Sequence, residues 1–248
     1  MPPSSPASAR VGRTFGRVAD AYERRRPEYA AAAVDHAVAA LRLRSDAVVL
    51  DLAAGTGKLT RPLAARLGHV IAVEPDDDMR AHIDGDARPG TAEHIPVADG
   101  EVDAVFVGDA FIWFDAQRAL AEIVRVLRPG GGMALLWNDW FQREEPPLPP
   151  EVRDLLTELY LRFRGAGEPA GDWRGDVERS PFGSLRHASF EARSTVSGHE
   201  FAELELTRSS PAALEDDDRV ALAARIRPLM AREYTLTVVT SVDWTTLP

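Results

Sequence analysis

The apolar positions at residues 47–52 run almost without interruption, too few for a buried helix and rich in β-branched valine, and lead into Ala53-Ala54-Gly55-Thr56-Gly57. This pattern predicts a buried strand that ends in a glycine turn, where Gly55 and Gly57 let the backbone bend sharply and approach a ligand without Cβ obstruction. Over 58–67 the pattern becomes helical, so the turn sits at a helix N-terminus, whose free N–H groups and dipole favour a carboxylate or phosphate. Taken alone, the turn is also compatible with a tight connection that binds nothing. A second apolar strand over 69–73 ends in Glu74, seventeen positions after Gly57. In a doubly wound sheet the tips of the first two strands are neighbours, and an acid on the second can accept both hydroxyls of a ribose. The two features together describe one nucleoside-containing ligand.

The remaining chain alternates in the same way. Val11, Phe15, Val18, Ala19 and Tyr22 lie at helical spacing among arginines, which predicts a basic amphipathic helix over 11–22, serving either as packed scaffold or as a lid; residues 1–9 are expected to be disordered. Pro27 separates it from a second, alanine-rich helix over 28–43. A helix starts at Pro75-Asp76 and runs to 83, with Asp76 to Asp78 capping its first turn. Gly85 and Gly90 then turn the chain toward a short third strand near 91–94. A strand over 102–107, an Asp115-capped helix over 116–127 and a fifth strand over 133–137 follow. Five such units imply a mostly parallel sheet with helices on both faces. Periodicity dissolves over 139–183 apart from one helix at 151–164, and this insertion is expected to cap the ligand cleft between proline- and glycine-rich hinges. A strand at 190–196, helices at 199–209 and 216–232, and an alternating strand at 234–242 complete the sheet, the last with the pattern of an antiparallel addition.

With 248 residues and 45% hydrophobic content, the chain is sized for a single α/β domain. Its net charge of −10 and lack of a basic run argue against a nucleic acid as principal partner, since phosphate neutralisation dominates that affinity. The absence of cysteine excludes disulfides and a thiolate nucleophile, and the six histidines show no close metal-ligand spacing, so no metal is expected. No segment reaches membrane-spanning length, and the expected partner is a small molecule, the expected location the cytoplasm.

The order of motifs resembles the class I S-adenosylmethionine-dependent methyltransferases, in particular the small-molecule branch with ubiquinone/menaquinone-type and trans-aconitate-type enzymes. The resemblance rests on the run from Val49 to Gly57, Val73-Glu74-Pro75, Gly90 to Pro96, Ala110 to Asp115, Arg125 to Gly131, and the N-terminal Tyr22 to Tyr29. It implies a Rossmann-like, doubly wound seven-stranded sheet of order 3-2-1-4-5-7-6 with the last strand antiparallel, an N-terminal lid, and S-adenosylmethionine across the tips of strands one to four. Within one methyltransferase domain, residues 1–27 would be tail and lid, 28–138 the cofactor-binding core, 139–183 the cap and 184–248 the completion of the sheet. Asp51, Ala53, Gly55 and Gly57 would line the methionine end, with Tyr22 and Arg26 folding over it. Glu74 would take the ribose hydroxyls, Pro75 and Met79 would flank the adenine, and Ala92 and Glu93 would lie at its edge. Asp109 and Phe111 would face the sulfonium, Asp109 as base, orienting acceptor or structural cap of its loop. Ile112, Trp113 and Trp140 would form the acceptor pocket, with Phe114, Trp137 and Phe141 as further aromatic wall or core. Relatives often have glycine at Ala53, glutamine at Asp109 and histidine at Ile112.

Two other readings use the same residues. A nicotinamide-dependent oxidoreductase also carries a glycine turn and an acid after its second strand, but here Thr60 stands at the third glycine position and no Tyr-Lys or His pair is apparent. A protein that keeps the fold to bind the cofactor without methylating is the third reading.

Overall fold

The computed structural model describes residues 15–140, 144–163 and 172–248. The expectations for residues 1–14, for Phe141 and for the glycine hinge beginning at Gly165 lie outside the described residues. A 3-10 turn at Phe15–Val18 leads into α1 (Ala19–Arg25), followed by α2 (Ala31–Ala40), β1 (Val48–Leu52), α3 (Thr60–Ala64), β2 (His69–Val73), α4 (Asp77–Arg80) and β3 (Asp86–Arg88). Next come β4 (Val102–Gly108), a 3-10 turn at Phe111–Trp113, α5 (Ala116–Val126), β5 (Leu127–Asp139), β6 (Glu144–Glu145), α6 (Pro150–Phe163) and α7 (Trp173–Glu178). The chain closes with β7 (Arg186–Ser197), α8 (Gly198–Glu205), α9 (Ser209–Ala212), α10 (Asp216–Ile226), a 3-10 turn and β8 (Glu233–Thr246).

The strands form one sheet in the order β3-β2-β1-β4-β5-β8, with β7 on the far side of β8. Strands β1 to β5 pair in parallel, while β8 runs antiparallel to both β5 and β7. This is the expected doubly wound order. The sheet has eight strands rather than seven because β6 continues the β5 side of β8, Glu144 pairing with Leu236. A two-residue strand of glutamates carries no hydrophobic alternation and is invisible to a pattern argument.

Alternation along the central strands sorts side chains to opposite layers. Leu50, Leu52, Val105 and Val107 pack on one face with Leu120, Ile123 and Val126 of α5, while Val49, Ala104 and Phe106 pack on the other with Ala33, Val34 and Ala37 of α2. Full burial of each large side chain contributes about 1.5–3 kcal/mol, which fixes the register of every strand with one face in each layer. A third cluster joins Val152, Leu156 and Leu159 of α6 to Phe201, Ile226, Tyr234 and Leu236. Caps set the helix starts. Asp76 Oδ1 accepts from the Asp78 and Met79 amides at 3.0 Å, and Asp115 accepts from Arg118 at 3.2 Å.

Several boundaries differ from expectation. The third strand is Asp86–Arg88, paired with Ile71 to Val73, whereas 91–94 makes only a bridge between Thr91 and His94. It lies at the sheet edge with Ala87 between two charged residues, Arg88 pairing with Asp86 at 2.7 Å, so it lacks the apolar run used to locate strands. Ala92 and Ile95 are buried loop residues, and their apolarity reflects that burial. The helix expected over 58–67 is helical only at Thr60–Ala64, after turns that spend residues 55–59 on the glycine loop, and the helix expected over 75–83 only at Asp77–Arg80. The segment over 199–209 breaks near Thr207, whose hydroxyl donates to the Leu204 carbonyl at 2.6 Å and competes with the helical ladder. Helix α7 arises where none was expected, capped by Asp172. Among the described residues no helix is long and apolar enough to cross a membrane.

Candidate functional site

The carboxyl ends of β1, β2, β4 and β5 open into one cavity of about 1280 Å3. This is the end of a parallel sheet where ligands bind, at the point where the strand order reverses between β1 and β4.

After β1 the backbone turns through left-handed conformations at Ala53 (φ +56°), Gly55 (φ +59°) and Gly57 (φ +82°). Gly55 meets this demand at no steric cost, whereas Ala53 holds a conformation that L-residues disfavour by roughly 1–2 kcal/mol. Glu74, 7% exposed at the tip of β2, reaches across to the turn: its Oε2 accepts from the Gly55 amide at 2.9 Å and its Oε1 from the Asp76 amide at 3.0 Å. Burial pushes this carboxyl up, and the two amides pull it back. The carboxylate is thus oriented at the cavity wall by two backbone donors.

Ala53, Gly55, Glu74, Pro75, Met79, Ala92 and Glu93 all line this half of the cavity. Glu93 also accepts from the Asp115 amide at 2.9 Å, which fixes its side chain. Asp51, Gly57 and Phe111 do not line the cavity; they sit behind its wall. Phe111 is 1% exposed and packs on Phe114 with ring centroids 5.5 Å apart. Asp51 is fully buried, its Oδ2 accepting from Thr60 Oγ1 at 2.6 Å and its Oδ1 without a partner. Burial pushes this carboxyl up to about 7.

At the tip of β4, Asp109 has φ +52° and lines the cavity. Its Oδ2 accepts from the Tyr29 hydroxyl at 2.8 Å and its Oδ1 from the Asn138 amide at 2.9 Å. Burial raises its pKa, and the Asn138 amide opposes that rise; burial also drives the Tyr29 hydroxyl well above its ordinary value. The network extends further, because Thr240 donates to Asn138 Oδ1 at 2.6 Å and Asn138 Nδ2 donates to the Pro27 and Glu28 carbonyls at 3.2 and 3.3 Å. Sequence reasoning missed Tyr29 and Asn138. The one available signal was Gly108, where a Cβ would collide with the Tyr29 hydroxyl.

Tyr22 and Arg26 close one side. The Arg26 guanidinium lies 4.9 Å from the Tyr22 ring centroid and 4.7 Å from that of Trp140, and donates to the Thr207 hydroxyl and carbonyl at 3.0 and 2.9 Å. Ion pairs tie this segment to its surroundings: Arg25 to Glu203 at 2.6 Å, Glu23 to Arg61 at 2.7 Å and Glu28 to Lys58 at 2.6 Å. The Arg25 and Glu23 pairs are partly exposed and contribute about 0–1 kcal/mol each, weak enough to exchange with bound ligand, whereas Lys58 is buried in its pair with Glu28.

Beyond Asp109 the wall becomes aromatic, with Ile112, Trp113, Phe114, Trp137 and Trp140 at the cavity surface. Leu148, Leu156 and Tyr160 of the 144–163 segment and Phe201 of α8 complete that half, together with an ion pair at 2.8 Å between the buried Glu205 and the half-buried Arg208. Neither charged residue was singled out in the sequence.

Comparison with known proteins agrees with this architecture. The sequence profile of the methyltransferase-domain family matches residues 50–135. An uncharacterised methyltransferase of Mycobacterium tuberculosis is 48% identical over 130 residues, which span 50% of this chain and 52% of that protein, so the match covers about half the relative's length. An uncharacterised methyltransferase-like protein of Schizosaccharomyces pombe is 34% identical over 182 residues, 70% of this chain and 68% of that protein. Among solved structures, a provisionally assigned type II methyltransferase from Anaeromyxobacter dehalogenans superposes with a TM-score of 0.62 at 23% identity, over 90% of this chain and 97% of its own, and shares the fold. With the strand order, the glycine turn and the matched profile in agreement, the chain belongs to the class I S-adenosylmethionine-dependent methyltransferases.

Proposed function

We propose that this chain transfers a methyl group from S-adenosylmethionine to a small-molecule acceptor. The observation that carries the reading is one cavity joining the glycine turn and Glu74 to an aromatic second half. At about 1280 Å3 it exceeds the roughly 300–1000 Å3 of an ordinary ligand site, so it has room for a cofactor and an acceptor side by side.

The residues present fit the cofactor. Glu74 offers a pre-oriented carboxylate to a diol, Pro75, Met79, Ala92 and Glu93 line the cavity where an adenine would lie, and behind the turn Asp51 keeps its Oδ1 without a partner while its Oδ2 accepts from Thr60. Arg26 and Tyr22 would cover the amino-acid end. When bound, S-adenosylmethionine supplies a methyl group on a sulfonium, a leaving group that needs no protonation. The chain's own task is alignment and exclusion of water, a proximity effect that can supply roughly 7–11 kcal/mol. Ile112, Trp113 and Trp140 hold the acceptor, Leu148, Leu156 and Tyr160 roof it, and Asp109 orients or deprotonates the accepting group. Incubation with methyl-labelled cofactor and a metabolite extract tests the reading. Label appears in a small molecule with matching release of S-adenosylhomocysteine; label that stays in the cofactor with every extract contradicts it.

Two outcomes follow at named residues. Amide hydrogen exchange over 22–26 slows when S-adenosylhomocysteine binds, because the ligand orders a segment otherwise held by exchangeable ion pairs; equal protection with and without ligand returns Tyr22 and Arg26 to scaffold. With an acceptor identified, Asp109→Asn lowers turnover at least tenfold, and by as much as the roughly 10²–10⁴ that proton transfer contributes if Asp109 is the base, and leaves S-adenosylhomocysteine affinity nearly intact. Full activity of that variant from about pH 6 to 9 would leave Asp109 as a cap for its loop.

A further inference from the structure

Asp109 is held by more bonds than the loop after β4 requires. Its backbone takes the left-handed region, φ +52°, which a residue with a side chain adopts only where its surroundings dictate it, and its amide donates to the Leu136 carbonyl at 2.9 Å, which by itself ties the loop to β5. The carboxylate is held separately, Oδ1 accepting from the Asn138 amide at 2.9 Å and Oδ2 from the Tyr29 hydroxyl at 2.8 Å. Asp109 lines the cavity and Tyr29 does not, so the tyrosine reaches the ligand space only through that carboxylate. The approach is close enough to need a glycine. A Cβ on Gly108 would run into the Tyr29 hydroxyl and lie 3.0 Å from its ring carbon Cζ, and Gly108 is not among the glycines with positive φ, so its missing side chain serves the space for Tyr29 and not the backbone.

Tyr29 is fastened in turn. Asn138 Nδ2 donates to the Pro27 and Glu28 carbonyls at 3.2 and 3.3 Å, the Ala30 amide donates to Thr240 Oγ1 at 3.0 Å, and that hydroxyl donates to Asn138 Oδ1 at 2.6 Å. The linker is thereby stitched to β5 and β8 on either side of Tyr29, which fixes where the phenol points. Bond direction then sets the chemistry. A backbone N–H can only donate, and burial holds the Tyr29 phenol well above its ordinary value, so both partners donate and Asp109 is the acceptor, with a further lone pair left on each oxygen. The other groups that face Asp109 are Tyr22 and the Arg26 guanidinium of the lid. Burial raises the Asp109 carboxyl, and the Asn138 amide, the Arg26 charge and the Tyr29 hydroxyl oppose that rise. A cap for the loop would need one donor; a second, on a carboxylate that faces an open cavity, serves its charge and its orientation. We propose that Tyr29 is a positioning residue of the methyl-transfer centre, whose hydroxyl holds Asp109 as an oriented carboxylate ready to receive the proton or hydrogen bond of the accepting group. The phenol proton stays on Tyr29 throughout. The inference rests on the methyl-transfer reading and deepens its account of Asp109.

Tyr29→Phe deletes the hydroxyl alone. The full chain, saturated with S-adenosylhomocysteine and carrying isotope-labelled aspartate, is titrated by NMR, with the Asp109 signal identified by its loss in Asp109→Asn. In Tyr29→Phe the Asp109 midpoint moves to higher pH, because a donor to the charged form has gone. Methylation from labelled S-adenosylmethionine, with a metabolite extract as acceptor source, falls about tenfold at about pH 6, the rate equivalent of one charge-assisted hydrogen bond, and the gap narrows toward about pH 9. The double variant Tyr29→Phe/Asp109→Asn is no slower than Asp109→Asn, since the tyrosine acts through the carboxylate. An unmoved midpoint, or a double variant slower by the full product of the two single losses, overturns the proposal. If Tyr29→Phe does not fold, Gly108→Ala, whose Cβ displaces the hydroxyl, raises the Asp109 midpoint in its place, and an unmoved midpoint there overturns the proposal equally. Absence of methylated product from the natural chain with every extract defeats the methyl-transfer reading instead, and the midpoint still decides whether Tyr29 sets the state of Asp109.

Discussion

Replacing Glu74 with alanine weakens S-adenosylhomocysteine binding by about 1.5–3 kcal/mol, a loss of roughly ten- to hundredfold in affinity. The size of the effect follows from how this carboxylate is held. Each oxygen already accepts one backbone amide, from Gly55 and from Asp76, and each keeps a second lone pair, so two hydroxyls can be received without any rearrangement of the side chain. Because burial and the fixed amides set the orientation before a ligand arrives, little conformational entropy is lost on binding. Glu74→Gln keeps the volume but turns an NH2 toward one of the amides, and it loses most of the same affinity. Calorimetry on both variants checks this, with the melting transition as control for the two unpaired amides that alanine leaves. An affinity equal to that of the natural chain would remove Glu74 from the site.

The second large effect is on stability and depends on pH. Burial raises the Asp51 carboxyl from 3.8 in the unfolded chain to about 7 in the folded one. A raised folded value means that the native state holds the proton more tightly, so the stabilisation is complete below pH 3.8 and is lost as pH rises through about 7. The full span is about 4 kcal/mol at about 1.4 kcal/mol per pH unit, of which about 2–3 kcal/mol falls between pH 5 and 8. Asp51→Asn, isosteric and uncharged, removes that share. In urea denaturation the natural chain therefore loses about 2–3 kcal/mol more than the variant on going from pH 5 to pH 8. Parallel pH profiles for the two proteins would show that Asp51 is ionised in the fold at all these values. Asp109 shifts in the same direction and stays in place in both proteins, and the Glu74 charge, which helps raise Asp51, makes part of the difference a property of that pair.

What the sequence made legible is what a short stretch encodes by itself. β1 with its glycine turn, β2 with Glu74 at its tip, and α5 behind its Asp115 cap occur where the pattern places them, because strand burial, left-handed backbone and helix capping are local demands on residue type. Asp51 in β1 and Phe111 in the 3-10 turn after β4 are buried behind the cavity wall and do not line it, a side-chain orientation that motif position does not encode. The edge strand β3 carries no hydrophobic signature, because its three half-buried residues include only one apolar side chain, Ala87. The polar networks were illegible for a different reason. Tyr29 meets Asp109 from 80 positions away, Thr240 meets Asn138 across 102, and Arg26 meets Thr207 across 181. Such pairs are created by the order of the strands, and no window of the sequence contains both partners.

The account depends most on the identity of the ligand at the glycine turn, and one competitive titration measures it: S-adenosylhomocysteine and NADH offered separately to the natural chain by calorimetry. Both carry a ribose diol that an acid after the second strand can accept, so the comparison isolates what the rest of the cavity recognises. The account predicts saturable one-to-one binding of S-adenosylhomocysteine, abolished or strongly weakened by Glu74→Ala, and no heat from NADH. Saturation by NADH with none by S-adenosylhomocysteine would contradict it.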